Sequence, residues 1–272
     1  MELKTILIYC ICEDFLKGIN YYEDPQRQMS DAEVMTTALV AALFYGGNYE
    51  LARDYLGNGK FIPNMLSKSR FNRRLHQVKD TFLLLFGTLG EVWKVLNEES
   101  IYIIDTIPIA VCDNIRIPRS RIYQGEAHRG YKSSKKRYFY GVKIHIMVTK
   151  DGKPVEFFLT PGAFSDTEGL EFFDFDLPPD STIYGDKAYT NYTIEDNLTD
   201  AGLELSPMRK KNSKRQFPPW IRYLQQHYRQ MVETAGSMIE RLLPKSIHAV
   251  TSAGFELKVV LFTLASSINA FA

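Results

Sequence analysis

The chain has 272 residues, 45% of them hydrophobic and 24% charged, with a formal net charge of +1. That is an ordinary globular composition, enough for one large domain or two small ones. No apolar run reaches the roughly 18 residues that span a bilayer, and the opening MELKTILIYCICEDFLKG is interrupted by Glu2, Lys4, Glu13 and Asp14, so neither a membrane anchor nor a signal peptide is expected and a cytoplasmic location is.

The first ninety or so residues read as helical. Cys10 and Cys12 lie in an apolar helical stretch and are expected to be packed thiols; with Cys112 they lack metal-ligand spacing. QMSDAEVMTTALVAALF opens with a capping box, Ser30 with Glu33, and GGN stops it. A short helix fits residues 49–56, and LGNGKFIPN reads as a loop. SKSRFNRRLHQVKDTFLLLFGTL resumes the helical period, with Phe71, Leu75 and Val78 on one face and Arg70, Arg73, Arg74 and Gln77 turned away. This is like the later helix of a helix-turn-helix bundle, whose basic face enters a major groove, although a solvated basic face explains the same residues.

Near residues 97–100 the pattern changes to strand-forming runs, which sets a domain boundary: residues 1–98 as an all-α, helix-turn-helix-like DNA-binding domain and residues 99–272 as a second domain. IYIIDTIPIAVC is an apolar strand. YFYGVKIHIMVT alternates, with Val142, Ile144, Ile146 and Val148 on one side and Lys143, His145 and Met147 on the other, and DGKPVEFFLTPG follows an Asp-Gly turn. Ser165 and Glu168 form another capping box, STIYGD is a strand, TNYTIEDNLTDAG a helix ending at Gly202, and LELSPM a further strand. The remainder is helical from Pro218 past Leu243 and again from Phe255. Three strands, helix, strand, helix, strand, long helix is the order of the ribonuclease-H-like α/β fold, a mixed five-stranded sheet with flanking helices.

Charge is segregated along the chain. Residues 116–150 carry ten basic side chains, among them Arg116, Arg129, Lys132, Lys135, Arg137 and Lys143, against Glu126 as the lone acid, and residues 209–229 carry seven, from Arg209 through Arg215 to Arg229, with no acid. Two solvated loops are the bland explanation. Interleaved aromatics, Tyr123, Tyr131, Tyr138, Phe139 and Tyr140, favour a surface that binds a phosphate backbone.

Asp105 interrupts an apolar strand, where a charge needs a reason. Asp186 ends the strand expected beside it, so the two can converge although 81 positions separate them. In the long helix Trp220, Leu224, Tyr228, Met231, Ala235, Met238 and Leu242 form the expected buried stripe, with Glu233 on the far side. A pair with Arg229 is a weak account of Glu233, because Arg preceding Glu is the poorer orientation, worth a few tenths of a kcal/mol. Two strand-borne aspartates and a helix-borne glutamate among basic segments suit a site for two Mg²⁺ ions about 3.5–4 Å apart.

IIDTIPIAVC, YFYGVKIHIMVTKDGKPVEFFLTPGAFSDTEGL, IYGDKAY and YRQMVETAGSMIERL resemble, in order and spacing, the successive blocks of the Asp-Asp-Glu (DDE) transposases of bacterial insertion sequences. The resemblance implies that Asp105, Asp186 and Glu233 are catalytic and hold two Mg²⁺ ions, with Mn²⁺ able to substitute, and that Arg229 holds DNA near the cleavage site. It implies double-stranded DNA, terminal inverted repeats and target, as partner, a homodimer in the active complex, and a nucleoid-associated location in the cytoplasm. One relative has a lysine seven residues after the glutamate, where this chain has Glu240 followed by Arg241. Lys132, Lys143, His145 and Lys187 are candidates for DNA contact, as are Arg70, Arg73 and Arg74; Asp166 is either an accessory site residue or a first-turn aspartate favoured by the helix dipole. The 47 positions between Asp186 and Glu233 leave no room for a large insertion domain.

The rival readings are a DNA-binding relative without chemistry, against which the intact triad argues, and a ribonuclease-H-like nuclease or junction resolvase. A haloacid-dehalogenase phosphatase needs an aspartate where this chain has Ile107, and no Walker-type glycine loop is present.

Overall fold

The computed structural model describes residues 1–132, 136–244 and 246–271; for residues 113–115 and 229–239 it describes the backbone and not the side chains. The chain divides into two compact units, Met1–Leu89 with Arg241–Ala249 and Ala253–Ala272, and Gly90–Glu240 with Val250–Ser252. The sequence expectation of a boundary after residue 98, with everything beyond it in one domain, differs from this division: the last helix belongs with the first unit.

The first unit is helical: α1 (Glu2–Gly18), α2 (Asp31–Tyr45), α3 (Tyr49–Asn58), α4 (Lys68–Gln77), α5 (Lys79–Val95, whose last turns fall in the second unit) and α9 (Ser252–Asn269). The capping box forms as expected, Ser30 Oγ accepting from the Glu33 amide at 3.1 Å and Glu33 Oε2 from the Ser30 amide at 2.6 Å. Gly46 ends α2 in the left-handed region at φ 55. The single helical period expected from residue 67 onward breaks at Val78, whose carbonyl accepts from the Thr81 hydroxyl at 2.6 Å. On α1, Cys12 is buried and Cys10 exposed, since positions two apart lie on opposite sides of a helix; the expected pair of packed thiols is therefore one. The α9 helix joins this unit because its apolar face meets it: the Phe262 ring lies where a Cβ on Gly47 would stand, 3.0 Å away, and Lys4 Nζ donates to Asn269 at 2.8 Å.

The second unit is built on β1 (Ile101–Asp113), β2 (Arg129–Lys132), β3 (Arg137–Thr149), β4 (Pro154–Pro161), β5 (Thr182–Gly185) and β6 (Glu204–Pro207). Six strands are found among the described residues, yet the sheet is five strands wide, because β2 and β4 both pair with β3 while β1, β5 and β6 continue across it. β1 runs antiparallel to β3, and β5 and β6 run parallel to β1. This is the mixed sheet of the ribonuclease-H-like fold. The four-residue β2, RGYK, is too short and too polar to show as a strand by pattern.

The pleat gives the sheet two different faces. One carries Ile103, Asp105, Ile107 and Ile109 of β1, with Tyr184 of β5 and Ser206 of β6 at matching positions. Here lies α8 (Pro219–Leu242): Gln225 donates to Ser206 Oγ at 3.2 Å, and Tyr228 stacks on Tyr184 with centroids 4.8 Å apart. Among the described side chains of α8 the buried one is Gln225; Met231, Ala235 and Met238 of the expected apolar stripe lie outside the described side chains. Trp220, also expected in that stripe, is 64% exposed. Its place at the start of α8 sets it ahead of those contacts. The other face, with Thr106, Lys143, His145 and Phe158, is covered by α6 (Asp166–Gly169) and the aromatic segment after it, Phe172 and Phe173. α7 (Tyr192–Asp200) lies against β6.

Candidate active site

Asp105 is half-buried in the middle of β1. Asp186 stands immediately beyond β5, exposed, where its carboxylate caps a 3₁₀ turn (Lys187–Tyr189) by accepting from the Ala188 amide at 2.6 Å. Ile101 pairs with Thr182, Tyr102 with Ile183 and Ile103 with Tyr184. The ladder runs as far as Ile103 and Tyr184, and Asp105 and Asp186 each stand two residues beyond those partners, Asp105 still within β1 and Asp186 just after the end of β5.

Between these carboxylates and the opposite face runs a chain of buried polar groups that the sequence did not single out. Thr106, next to Asp105, shares a 2.5 Å hydrogen bond with the Tyr189 hydroxyl and lies 3.2 Å from His145 Nδ1, whose Nε2 lies 2.9 Å from Thr160 Oγ1. Tyr189 is 1% exposed. Burial, and then the charges of Asp105, Asp166 and Asp186, push its phenol well above the usual range, so it stays neutral. One bond, Tyr189 to Thr106, thus ties the turn that Asp186 caps to the strand that carries Asp105. The signal that could have revealed it is the tyrosine three residues after Asp186, the spacing at which a capped turn closes.

His145, a candidate DNA contact by sequence, is fully buried and stacked on Phe158 at 4.8 Å. A Cβ on Gly169 would come within 2.5 Å of its ring, so α6 covers it closely. Burial brings its pKa down to about 4; it is a neutral core residue and touches no DNA.

Lys143 donates to Asp166 at 2.9 Å and to the Phe164 carbonyl at 2.7 Å. Both line a groove of about 680 Å³, with Arg129, Lys187 and Lys210, the tyrosines Tyr131, Tyr138 and Tyr192, and residues 162–165 and 188. Both basic segments therefore reach the groove, through Arg129 and Lys143 from one and Lys210 from the other. The remaining members divide. Arg209 is buried in a two-pronged pair with Glu195 of α7, at 2.6 and 2.5 Å, and Arg215 pairs with Asp196 at 2.5 Å, so these two arginines hold a loop to a helix and do not face the groove. Lys132 pairs with Glu240 at 3.1 Å, and Lys135 lies outside the described residues. Of the interleaved aromatics Tyr131 and Tyr138 are exposed, whereas Tyr123, Phe139 and Tyr140 are core.

In the helical unit, Arg70 and Arg73 are exposed on α4. Arg74 is not turned to solvent: it bonds Asp31, which is fully buried, and the Met29 carbonyl. A buried carboxylate needs such a partner, and this one lies far upstream in the chain.

Glu233 and Arg229 lie on α8, and their side chains lie outside the described residues. Among the described residues no three His, Cys, Asp or Glu side chains are grouped closely enough to hold a metal ion. Asp105, half-buried, and Asp186, exposed, carry the hard oxygen ligands that a divalent cation such as Mg²⁺ takes, and the open setting of Asp186 suits an ion that keeps several waters. Among the described residues no helix is long and apolar enough to cross a membrane.

The sequence profile of the family described as Transposase DDE domain matches residues 96–248, more than half of the chain. The chain belongs to the DDE transposases. It is accordingly a DNA transposase, of a family of metal-dependent enzymes that cut and join DNA. No curated protein sequence matches it. Among solved structures, the piggyBac transposase synaptic complex with hairpin DNA is similar over 98% of this transposase and 73% of that chain, at 12% identity and a TM-score of 0.50, which concerns the fold alone. A Mos1 transposase paired-end complex with the left transposon end aligns over 83% of this chain and 87% of its own, at 9% identity and a TM-score of 0.26.

Proposed function

We propose that this transposase cleaves DNA at the terminal inverted repeats of an insertion sequence and joins the 3′ ends to target DNA, with Asp105, Asp186 and Glu233 as its catalytic carboxylates. The observation that carries the reading is the parallel pairing of β1 with β5, with Asp105 and Asp186 each two residues beyond the partners Ile103 and Tyr184, within a matched DDE domain. The path of α8 supports Glu233. The helix meets β6 at Gln225 and β5 at Tyr228, on the Asp105 face; Glu233 follows after about 7.5 Å of helical rise, more than the roughly 4.8 Å to the next strand, β1.

The three carboxylates would hold two Mg²⁺ ions, or Mn²⁺ in their place, which when bound supply charge stabilisation to the attacking and leaving oxygens of the phosphodiester. The protein's part is to fix the ligands: the sheet ladder sets their depth, and Tyr189 and Thr106 lock the turn against the strand. Arg229, Lys187 and the exposed Arg70 and Arg73 would contact double-stranded DNA, with the helical unit reading the repeats. Cutting and joining two ends calls for at least two copies of the chain, working at the nucleoid in the cytoplasm.

The test pairs binding with chemistry. Asp186→Asn removes one negative charge from a site that must hold two cations, so strand cleavage of a labelled repeat should fall about ten-thousandfold, the order seen when one member of a catalytic group is lost. Gel-shift affinity for the repeat should be equal or tighter, because repulsion of phosphate is reduced. Cleavage by the variant at near wild-type rate, in Mg²⁺ or Mn²⁺, overturns the assignment.

A further inference from the structure

We propose that the groove beside Asp166 and Lys187 binds a segment of single-stranded DNA, stacking an unpaired base on the Tyr131–Tyr138 pair. The inference rests on the reading of the chain as a DNA-processing enzyme, and adds which form of DNA this surface takes.

Tyr131 and Tyr138 face each other across the β2–β3 ladder, with centroids 5.0 Å apart. A cross-strand aromatic pair stabilises a hairpin, which explains their contact with each other. It does not explain their exposure, 51% and 47%, in a groove whose lining includes Arg129, Lys143, Lys187 and Lys210. The Arg129 guanidinium lies over the Tyr138 ring at 4.3 Å and fixes the platform from one side. Around it the groove presents Arg129, Lys143, Lys187 and Lys210 against the single carboxylate of Asp166, which Lys143 already engages. Lys187 and Lys210 are both exposed, and they come from the β5 end and the loop after β6, so positive charge lines the wall facing the hairpin.

Cations alone suit any phosphate backbone. Exposed aromatic faces add something only for bases that can leave their own stack, because in duplex DNA the faces of the bases are covered by their neighbours. A basic track with stacking rings is how proteins hold single strands without regard to sequence. The volume of about 680 Å³ is that of a ligand-sized site rather than of a duplex channel.

The experiment measures, in EDTA so that no cleavage occurs, the affinity of the full chain for a fluorescent oligo-dT, an abasic strand of the same length, and a duplex of the same length lacking the repeat. The abasic strand keeps every phosphate and removes every base. Oligo-dT should bind about five- to hundredfold more tightly than the abasic strand, the range expected for one stacked base. Tyr131→Ala with Tyr138→Ala should abolish that preference, and the paired Phe substitutions should keep it. Lys187→Ala with Lys210→Ala should weaken both strands equally and flatten the salt slope by roughly 0.7 for each lost contact. Equal affinity of the wild type for oligo-dT and abasic strand, or a preference that survives the alanine pair, overturns the proposal. This measurement reads binding without metal or cleavage, whereas the Asp186→Asn assay reads cleavage. The cleavage reading can therefore fail while this one stands, and the reverse.

Discussion

Two groups of carboxylates, one in each unit, show how differently the same side chain can be used. In the helical unit Asp31 is fully buried, and both its oxygens are engaged: Arg74 bonds Oδ1, while Arg27 at 2.5 Å and the Tyr21 hydroxyl at 3.1 Å share Oδ2. In the sheet unit Asp105 and Asp186 are half-buried and exposed, each accepts from a backbone amide at 2.8 or 2.6 Å, and a neutral tyrosine lies beneath them. A carboxylate enclosed by arginines holds a fold together. A half-buried and an exposed carboxylate, each accepting from a backbone amide next to it in the chain, are set by their own strand or turn instead.

The sharpest break of this contrast is Arg74→Ala. It leaves Asp31 buried with one cation fewer, and should cost about 3 kcal/mol of stability, the lower end for a broken buried pair because Arg27 and Tyr21 remain. Arg70→Ala and Arg73→Ala on the same helix should stay within about 0.5 kcal/mol. Urea unfolding of the three variants checks this, and equal midpoints would make Asp31 no more structural than a surface acid.

Next in size is the pH dependence that His145 creates. Its folded pKa, about 4, lies below the unfolded value near 6.5, with Asp166 drawing it up and Lys143 and burial pressing it down. In that window the unfolded chain binds the proton and the folded one does not. Stability from this residue is therefore complete above about pH 6.5, falls as the pH drops towards 4, and levels off below, with a total of about 3 kcal/mol at most. Unfolding curves for wild type and His145→Gln at pH 7 and pH 5 should differ in slope with pH, the wild type losing more. Parallel losses would mean that the histidine is protonated in the fold.

The smallest expected change tests the anchor. Tyr189→Phe keeps the ring and removes the bond to Thr106, for about 1 kcal/mol of stability. If that bond sets Asp186 against Asp105, half-maximal cleavage should also need about tenfold more Mg²⁺, as for loss of an outer-shell partner. A variant with the stability loss and an unchanged metal requirement would reduce Tyr189 to core filling.

Much of the fold was legible because its signals are local. The capping boxes at Ser30 and Ser165 need only residues three apart, and both form; the alternation in YFYGVKIHIMVT placed Val142, Ile144, Ile146 and Val148 on one face, as the ladder has them. The same alternation assigned Lys143 and His145 to the other face without saying what covers it. The cover is Phe158, Phe164 and Phe172–Phe173, partly from a segment with no periodicity, so the burial of His145 could not be read. Arg74 and Arg209 were misplaced for a related reason: a basic residue looks solvated until its acid is found, and theirs, Asp31 and Glu195, lie in other helices. Asp105 and Asp186 were the easier case. Their strands are neighbours in this fold, and a charge interrupting an apolar strand is visible in a single line of sequence.

The ladder between β1 and β5 also sets a rule for which length changes this protein can accept. Ile101 and Thr182 start it as partners, and Asp105 and Asp186 each stand four residues later. The chain between the two strands can lengthen or shorten in its turns without altering that match, since nothing in the ladder measures it. A single residue inserted into or deleted from either four-residue run would slide one aspartate past the other by about 3.3 Å and turn it to the opposite face. Tolerance of indels should therefore fall to nothing over these two windows and return only in the turns between strands, a pattern of gaps that a library of one-residue insertions would record directly.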